Sequence, residues 1–346
     1  MLKKAKQATL SSLKTSGVFT LVQNSNWRRQ RLLILGYHGI SISDEHLWNG
    51  SQFISADTFR TRLQSLRKLD YVVLPLDEAI ERLYAKDLPD RAVSITFDDG
   101  SVDFYTKAFP LLKDFGFPVT LYLTTYYSHY QRPVFDPMCS YLLWKGRNET
   151  LNLRNITGRD SSIDLLDVTA RELISSEIRA FAHEQKLSAE EKDELAASLA
   201  AHLKVDYDAL RQERALYILS PKEVSELAFH GVDVQLHSHR HRTPRDRDLF
   251  IREIEDNRKS IYQMTGKRAS HFCYPSGVYK SEFLPWLSEA RVASATTCEI
   301  GLATSESNPL LLPRVLDVSS LSTIEFEGWL TGISAALPRR IQTKGL

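Results

Sequence analysis

Val93-Ser94-Ile95-Thr96-Phe97-Asp98-Asp99-Gly100 is a β-branched, apolar run that stops on two adjacent carboxylates and a glycine. Such a run is the pattern of a strand buried on both faces, as in a parallel sheet covered by helices. Strand neighbours point to opposite faces, but Gly100 lets the backbone turn at the strand end, so both carboxylates can line one cavity. One can then bind a metal while the other stays available as a base. By itself the Asp-Asp-Gly triplet is more simply a turn with a helix cap.

The flanking sequence repeats the strand-helix rhythm. Arg31 to Ile40 is an apolar burst ending in Gly36-Tyr37-His38-Gly39, a buried strand running into a bent loop. Ser55 to Leu69 has a helical period with Ser55 as N-cap, Tyr71 to Leu74 is a short strand, and Asp77 to Tyr84 is a second helix. Ala92 to Phe97 is the central strand, Asp103 to Phe115 a helix closed by Gly116, and Val119 to Thr124 a strand. The alternation returns with Val232 to Leu236 as strand, Asp246 to Met264 as helix, Ser270 to Tyr274 as strand, Ser281 to Ala290 as helix and Val292 to Cys298 as strand. Parallel strands with crossover helices follow, in a barrel-like α/β fold. Between Pro137 and Leu219 the chain is charged and rich in Ala, Glu and Leu, which predicts several inserted helices, a lid or partner-binding subdomain. Ser220-Pro221-Lys222-Glu223 is a capping box with proline at the first helical position.

Leu236 is followed by His237-Ser238-His239-Arg240-His241. His237 and His241 are four apart at a predicted strand-to-helix junction, so one helical turn would bring both imidazoles to one side and leave His239 pointing elsewhere. The pair alone is weak evidence. Its joint occurrence with the carboxylates, each motif at the carboxyl end of an apolar strand where α/β barrels place their sites, points to a metal-dependent hydrolase.

Composition narrows the substrate. The 346 residues are 42% apolar and 25% charged, with a formal charge of +1, an ordinary globular balance without the basic excess that a polyanion partner such as nucleic acid favours. A neutral or weakly charged substrate fits better. Cys139, Cys273 and Cys298 form neither a disulfide framework nor a zinc ribbon, so a reducing compartment is the simpler expectation. Lys3, Lys4 and Lys6 resemble a signal n-region, but Thr9 to Gln23 lacks a clean apolar stretch; no secretion signal and no membrane span are read, and a cytoplasmic location is expected. The basic leader has the composition for peripheral contact with an anionic membrane surface; a capping helix is the simpler reading. The oligomeric state is not legible.

The two motifs resemble those of the polysaccharide deacetylase family of carbohydrate esterases, the group with the NodB homology domain. Thr96-Phe97-Asp98-Asp99-Gly100 matches its first motif residue for residue, and His237-Ser238-x-x-His241 its second. A weaker likeness runs from about Leu33 to Val318 and includes Phe272-Cys273-Tyr274-Pro275-Ser276-Gly277 in the place of the third motif. The resemblance implies a distorted (β/α) barrel occupying 31–136 and 220–335, with a helical insertion at 137–219, an N-terminal leader at 1–30 and a C-terminal tail at 336–346. It implies a divalent metal, usually zinc, and removal of acetyl groups from N-acetylhexosamines in a carbohydrate substrate. By position, Asp99, His237 and His241 would be the metal ligands and Asp98 the general base. Two neutral nitrogens and one carboxylate on a divalent ion suit that chemistry, because positions remain open for water and the acetyl carbonyl.

Three departures stand out. The family's third motif opens with an Arg that orients the base and continues to a Tyr whose backbone N–H binds the oxyanion; Cys273 and Ser276 occupy those places. The Ser276 N–H can serve, since the side chain is not the donor. Arg314, in Leu312-Pro313-Arg314, could supply the missing guanidinium from another loop; a surface or interdomain ion pair is the competing reading. No histidine follows His271, so the family's C-terminal Leu-x-His is absent. His38 is then the leading candidate for the general acid and His271 a distant second. Cys273 reads as a small apolar wall rather than a nucleophile. Trp144, Trp286 and Trp329 could stack on sugar rings, although core packing is the simpler role. Two other functions stay open: a binding member of the fold that has lost catalysis, and a hydrolase of a non-sugar amide C–N bond.

Overall fold

The computed structural model describes residues 2–337; the tail anticipated at 336–346 lies, from position 338 on, outside the described residues. Seven strands close into a ring: β1 (Arg31–Tyr37), β2 (Ala92–Phe97), β3 (Thr120–Leu123), β4 (Asp233–Leu236), β5 (His271–Cys273), β6 (Ser294–Ile300) and β7 (Leu312–Leu316). Each runs parallel to its neighbours, from Leu33 opposite Val93 between β1 and β2 round to Leu35 opposite Val315 between β1 and β7. The ring is distorted, since β4 and β5 share a single aligned pair, Phe272 with Leu236, and the β6–β7 register shifts between Thr296 and Ile300. Val72–Val73 and Ala303–Thr304 extend the sheet outside the ring.

Burial on both faces explains the apolar runs. Leu33, Leu35, Tyr37, Val93, Ile95 and Phe97 pack outward in the main core with helix residues such as Phe59, Leu63 and Phe104. The intervening Leu32, Ile34 and Ala92 cluster instead with Tyr122, Cys273 and Leu312. Thr96 takes the same alternate phase as Ala92, and Thr96, Asp98 and Arg314 meet in one buried hydrogen-bonded group.

Several helices begin on side-chain caps. Ser55 accepts from the Thr58 N–H ahead of Ala56–Lys68, Asp246 from Leu249 ahead of Arg247–Thr265, and Ser220 with Glu223 forms the anticipated capping box. The helix after the first motif departs from expectation. Phe104–Ala108 is wound as a π turn before Phe109–Phe115. Pro110 has no N–H to donate back to the Thr106 carbonyl and its ring would crowd that oxygen, so the preceding turn widens.

Inserted between β3 and β4 are the helices Phe135–Lys145, Val168–Glu184, Ala189–His202 and Tyr207–Gln212. They enclose a core of their own around Met138, Leu142, Ile174, Ile178, Leu199 and Leu210. A short hairpin, Thr150–Asn152 against Ser162–Asp164, adds strand structure that its sparse β-branched sequence does not announce. The leader forms Leu2–Thr15 and two shorter helices. Leu10 is buried against Phe19 and Ile333, and Lys6 pairs with Glu325 at 3.4 Å. Arg28 is fully buried, donating to the carbonyls of Leu330 at 2.8 Å and Arg31 at 2.6 Å. Among the described residues no helix is long and apolar enough to cross a membrane.

Asp103 ties the first motif to the loop after β1, accepting from the Ile40 N–H at 2.9 Å and the Ser101 hydroxyl at 2.7 Å. Burial dominates its titration and pushes it up to about 7. Between the usual carboxylate range and that value, the folded state holds a proton that the unfolded chain has released, so this residue costs stability increasingly as pH rises through that window. Asp103→Asn keeps an acceptor for Ile40 and cannot ionise. Its melting temperature should match that of the parent near pH 4 and exceed it at pH 8, a divergence that thermal unfolding across the range will show.

Candidate active site

Asp98 and Asp99 leave β2 in different directions because Asp99 takes a left-handed backbone, φ 70°, followed by Gly100 at φ 83°. A Cβ at Gly100 would lie 2.2 Å from Leu123 Cδ1, so the turn needs glycine for space as well as for its dihedral angle. Asp99 thereby faces the second motif: its Oδ1 lies 3.1 Å from His237 Nε2 and 3.2 Å from His241 Nε2. Hydrogen bonds with both imidazoles outweigh burial and hold the Asp99 carboxyl well below its usual range, and the same contact raises His241.

The histidines do not meet as foreseen. No helical turn joins them: the chain leaves β4 as an irregular loop and enters a helix only at Arg247. Two left-handed residues, Ser238 at φ 59° and His241 at φ 53°, fold the loop back, with the Arg242 N–H donating to Ser238 Oγ at 2.9 Å. Both imidazoles reach Asp99, but loop geometry rather than helix periodicity brings them there. His239 points away, its Nδ1 2.9 Å from Thr125 Oγ1.

His237 carries the informative contact. Its Nδ1 lies 2.8 Å from the Cys273 carbonyl, which can only accept, so the proton is assigned to Nδ1. Nε2 is then the nitrogen that faces the Asp99 carboxylate, 3.1 Å from Oδ1. Only a cation between them, a proton or a metal ion, reconciles that approach. Asp99, His237 and His241 bring their ligand atoms within 4.8 Å of one another and so could hold a metal. Asp98, His237 and Cys273 also converge. That second set suits a metal poorly, because Arg314 already occupies both Asp98 oxygens and burial pushes the Cys273 thiol up, away from thiolate.

Arg314 is fully buried on β7 and meets Asp98 through two bonds, Nη1 to Oδ1 at 2.8 Å and Nη2 to Oδ2 at 2.7 Å. Thr297 O and Thr96 Oγ1 take further Arg314 donors at 3.0 and 3.1 Å. A surface ion pair is excluded by this burial. On its own burial would raise the Asp98 carboxyl, but the Arg314 charge and hydrogen bonds win and lower it to about 2. Cys273 is buried beside the pair rather than on the cavity wall, with Sγ 3.5 Å from Asp98 Oδ2 and 3.1 Å from Arg314 Nη2.

His38, at the end of β1, lines the cavity with Nε2 3.7 Å from Asp98 Oδ2. Ser276 lines it too, at φ 55° in the Pro275–Gly277 turn. His271 lies elsewhere, its Nδ1 2.8 Å from Ser294 Oγ, on a separate cavity that does not include the carboxylate–histidine cluster. The three singled-out tryptophans stay out of the site: Trp329 is buried, Trp286 packs 5.5 Å from Phe250 and Trp144 stacks on Tyr141 at 6.0 Å. The cavity above Asp99, about 1250 Å³, is instead walled by Trp48, Phe53, Tyr126 and Tyr130, and by Phe135 and Tyr207 of the insertion. Sequence reasoning missed these rings, because each follows a loop or insertion whose path the local pattern does not reveal.

Comparison with known proteins agrees with this architecture. A family model described as polysaccharide deacetylase matches residues 85–162 and 179–295, more than half of the chain. The poly-beta-1,6-N-acetyl-D-glucosamine N-deacetylase of Escherichia coli (strain K12) is 28% identical over 100 residues, which is 29% of this chain and 15% of that protein. The enzyme of the same name from Staphylococcus epidermidis is 31% identical over 109 residues, 29% of this chain and 38% of that one. The chain thus aligns with well under half the length of these relatives. Among solved structures, the Streptococcus pyogenes deacetylase PplD in complex with acetate superposes with a TM-score of 0.56 at 20% identity, covering 87% of this chain and 97% of that one. IcaB from Ammonifex degensii gives 0.53 at 17% identity with the same coverage. At these identities the structural likeness speaks for the fold. With the family model spanning both motifs, the chain belongs to the polysaccharide deacetylase family.

Proposed function

We propose that the protein is a metal-dependent N-deacetylase of a glycan or glycoconjugate containing N-acetylhexosamine. The observation that carries this reading is the convergence of His237 Nε2 and His241 Nε2 on one Asp99 oxygen, at 3.1 and 3.2 Å. The donor set fits a divalent ion: one carboxylate, two imidazole nitrogens, and an Nδ1–H on His237 anchored to a carbonyl, the outer contact that fixes a ligating histidine. Zinc is the ion best matched to two nitrogens and one oxygen. When bound, such an ion would polarise an acetyl carbonyl and acidify a water molecule.

The remaining roles belong to the chain. Asp98 is the base that accepts the proton from attacking water; Arg314 keeps it ionised and holds its plane. Ser276 borders the cavity, and its backbone N–H is the donor for the developing oxyanion. His38 borders the same space and is the candidate donor to the leaving amine. The aromatic walls suit the apolar faces of sugar rings, and the named relatives act on poly-β-1,6-N-acetylglucosamine, which makes an N-acetylglucosamine oligomer the first substrate to try.

Acetate release from β-1,6-linked N-acetylglucosamine oligomers, measured alongside elemental analysis, tests the assignment. Asp98→Asn should lose on the order of 100-fold or more in rate while retaining its ion, whereas Asp99→Ala should lose the ion itself. Full rate in Asp98→Asn would remove that residue as the base, and a parent chain that takes up no ion would end the metal reading.

Arg314 can be tested through stability as well. Arg314→Ala leaves a buried carboxylate unpaired and should cost about 3–5 kcal/mol in urea denaturation. Because Asp98→Asn removes the charge that needs pairing, the double variant Asp98→Asn with Arg314→Met should lose clearly less than the two single changes combined. Lysine at position 314 should not restore the parent, since one ammonium cannot reproduce the two-pronged contact.

A further inference from the structure

We infer that Glu253 and Asn257 are positioning residues that hold the 237–242 loop, and with it His237 and His241, in ligating geometry before any ion arrives. The inference rests on the metal reading of the cluster above. Both residues sit on the helix Arg247–Thr265, one turn apart, and both are buried in line with Phe250, Ile254 and Ile261. Asn257 Oδ1 accepts from the His237 N–H at 2.9 Å, while Nδ2 donates to Leu123 O and Thr125 Oγ1, each at 2.9 Å. The Glu253 carboxylate accepts from Arg240 N at 2.8 Å, Arg240 Nη1 at 3.1 Å and Arg242 Nε at 2.7 Å. Its backbone carbonyl accepts from His239 N at 3.0 Å.

His239 completes the connection. Its carbonyl accepts from Tyr126 N at 2.8 Å and Thr124 Oγ1 at 3.1 Å, and Thr124 N donates to Asp99 O at 3.2 Å. The Asp99 side of the cluster and the histidine side are therefore fastened to one hub at the end of β3. A loop with left-handed Ser238 and His241 would relax if left alone, because such conformations persist only where the surroundings over-determine them. If packing were the only demand, apolar side chains would fill two buried helix positions at lower cost than a charged and an amide group. The hydrogen bonds go to the loop that carries the two histidines.

The test uses the full chain, with zinc affinity read by competition against a chromophoric chelator and amide exchange of residues 237–242 read in the metal-free protein. Glu253→Ala and Asn257→Ala should each weaken zinc binding on the order of 10–100-fold and speed exchange of the loop amides. Glu253→Gln, which keeps an acceptor for Arg240 N, should recover part of both. Arg258→Met is the control: Arg258 braces the same helix to the Ala269 and Ala290 carbonyls, so its loss should lower the melting temperature and move neither readout. If an alanine variant fails to fold, Glu253→Gln and Asn257→Asp are read in the same way. Zinc affinity within twofold of the parent in the folded variants overturns the inference, even if loop exchange quickens. A parent that binds no zinc ends the metal reading, and the exchange data then decide the clamp alone: unchanged exchange overturns it.

Discussion

A buried guanidinium clasping a buried carboxylate, Arg314 on Asp98, is the interaction on which the rest of the site depends. Both are almost wholly buried, so each is tolerable only because the other is there. The pair joins the last barrel strand to the second and can form only because β7 lies beside β1 and β1 beside β2. Barrel closure and the ionisation of Asp98 are thus one event. With Asp98 engaged from behind, Asp99 is the carboxylate that turns toward the histidines.

The loop conformations around the site follow the same logic. Asp99, Ser238, His241 and Ser276 all adopt left-handed backbones without being glycine, each at a cost of about 1 kcal/mol. Their gathering in one place is the mark of a site whose geometry is enforced by neighbours rather than by local preference. The insertion adds a second kind of constraint. Because its helices enclose their own core, it is a built wall, and it lends Phe135 and Tyr207 to the cavity over Asp99 from sequence remote from the motifs.

Two polar residues show where legibility was available but unused. Glu253 and Asn257 interrupt the apolar stripe of a helix whose period places them inward with Phe250, Ile254 and Ile261. Polar side chains in such a stripe must find partners, and that signal marks them without revealing that the partner is the histidine loop. The hairpin at 150–164 and the π turn before Pro110 left weaker traces, the first because its strands are short and exposed, the second because a single missing N–H is absorbed locally.

The amino-acid sequence by itself determined the elements: strands long and apolar enough to be buried on both faces, helices started by Ser, Asp and capping boxes, and two short polar motifs at strand ends. These are local properties, set by periodicity and by which side chain can satisfy a nearby backbone group. Only the tertiary structure decided that Arg314 stands behind Asp98, that His237 and His241 meet through a bent loop, and that Trp48 and Tyr126 rather than Trp144 or Trp286 face the cavity. Those outcomes hinge on which strands become neighbours when the ring closes and on a helix reaching under a loop. Such contacts join residues tens to hundreds of positions apart, and no local pattern encodes them.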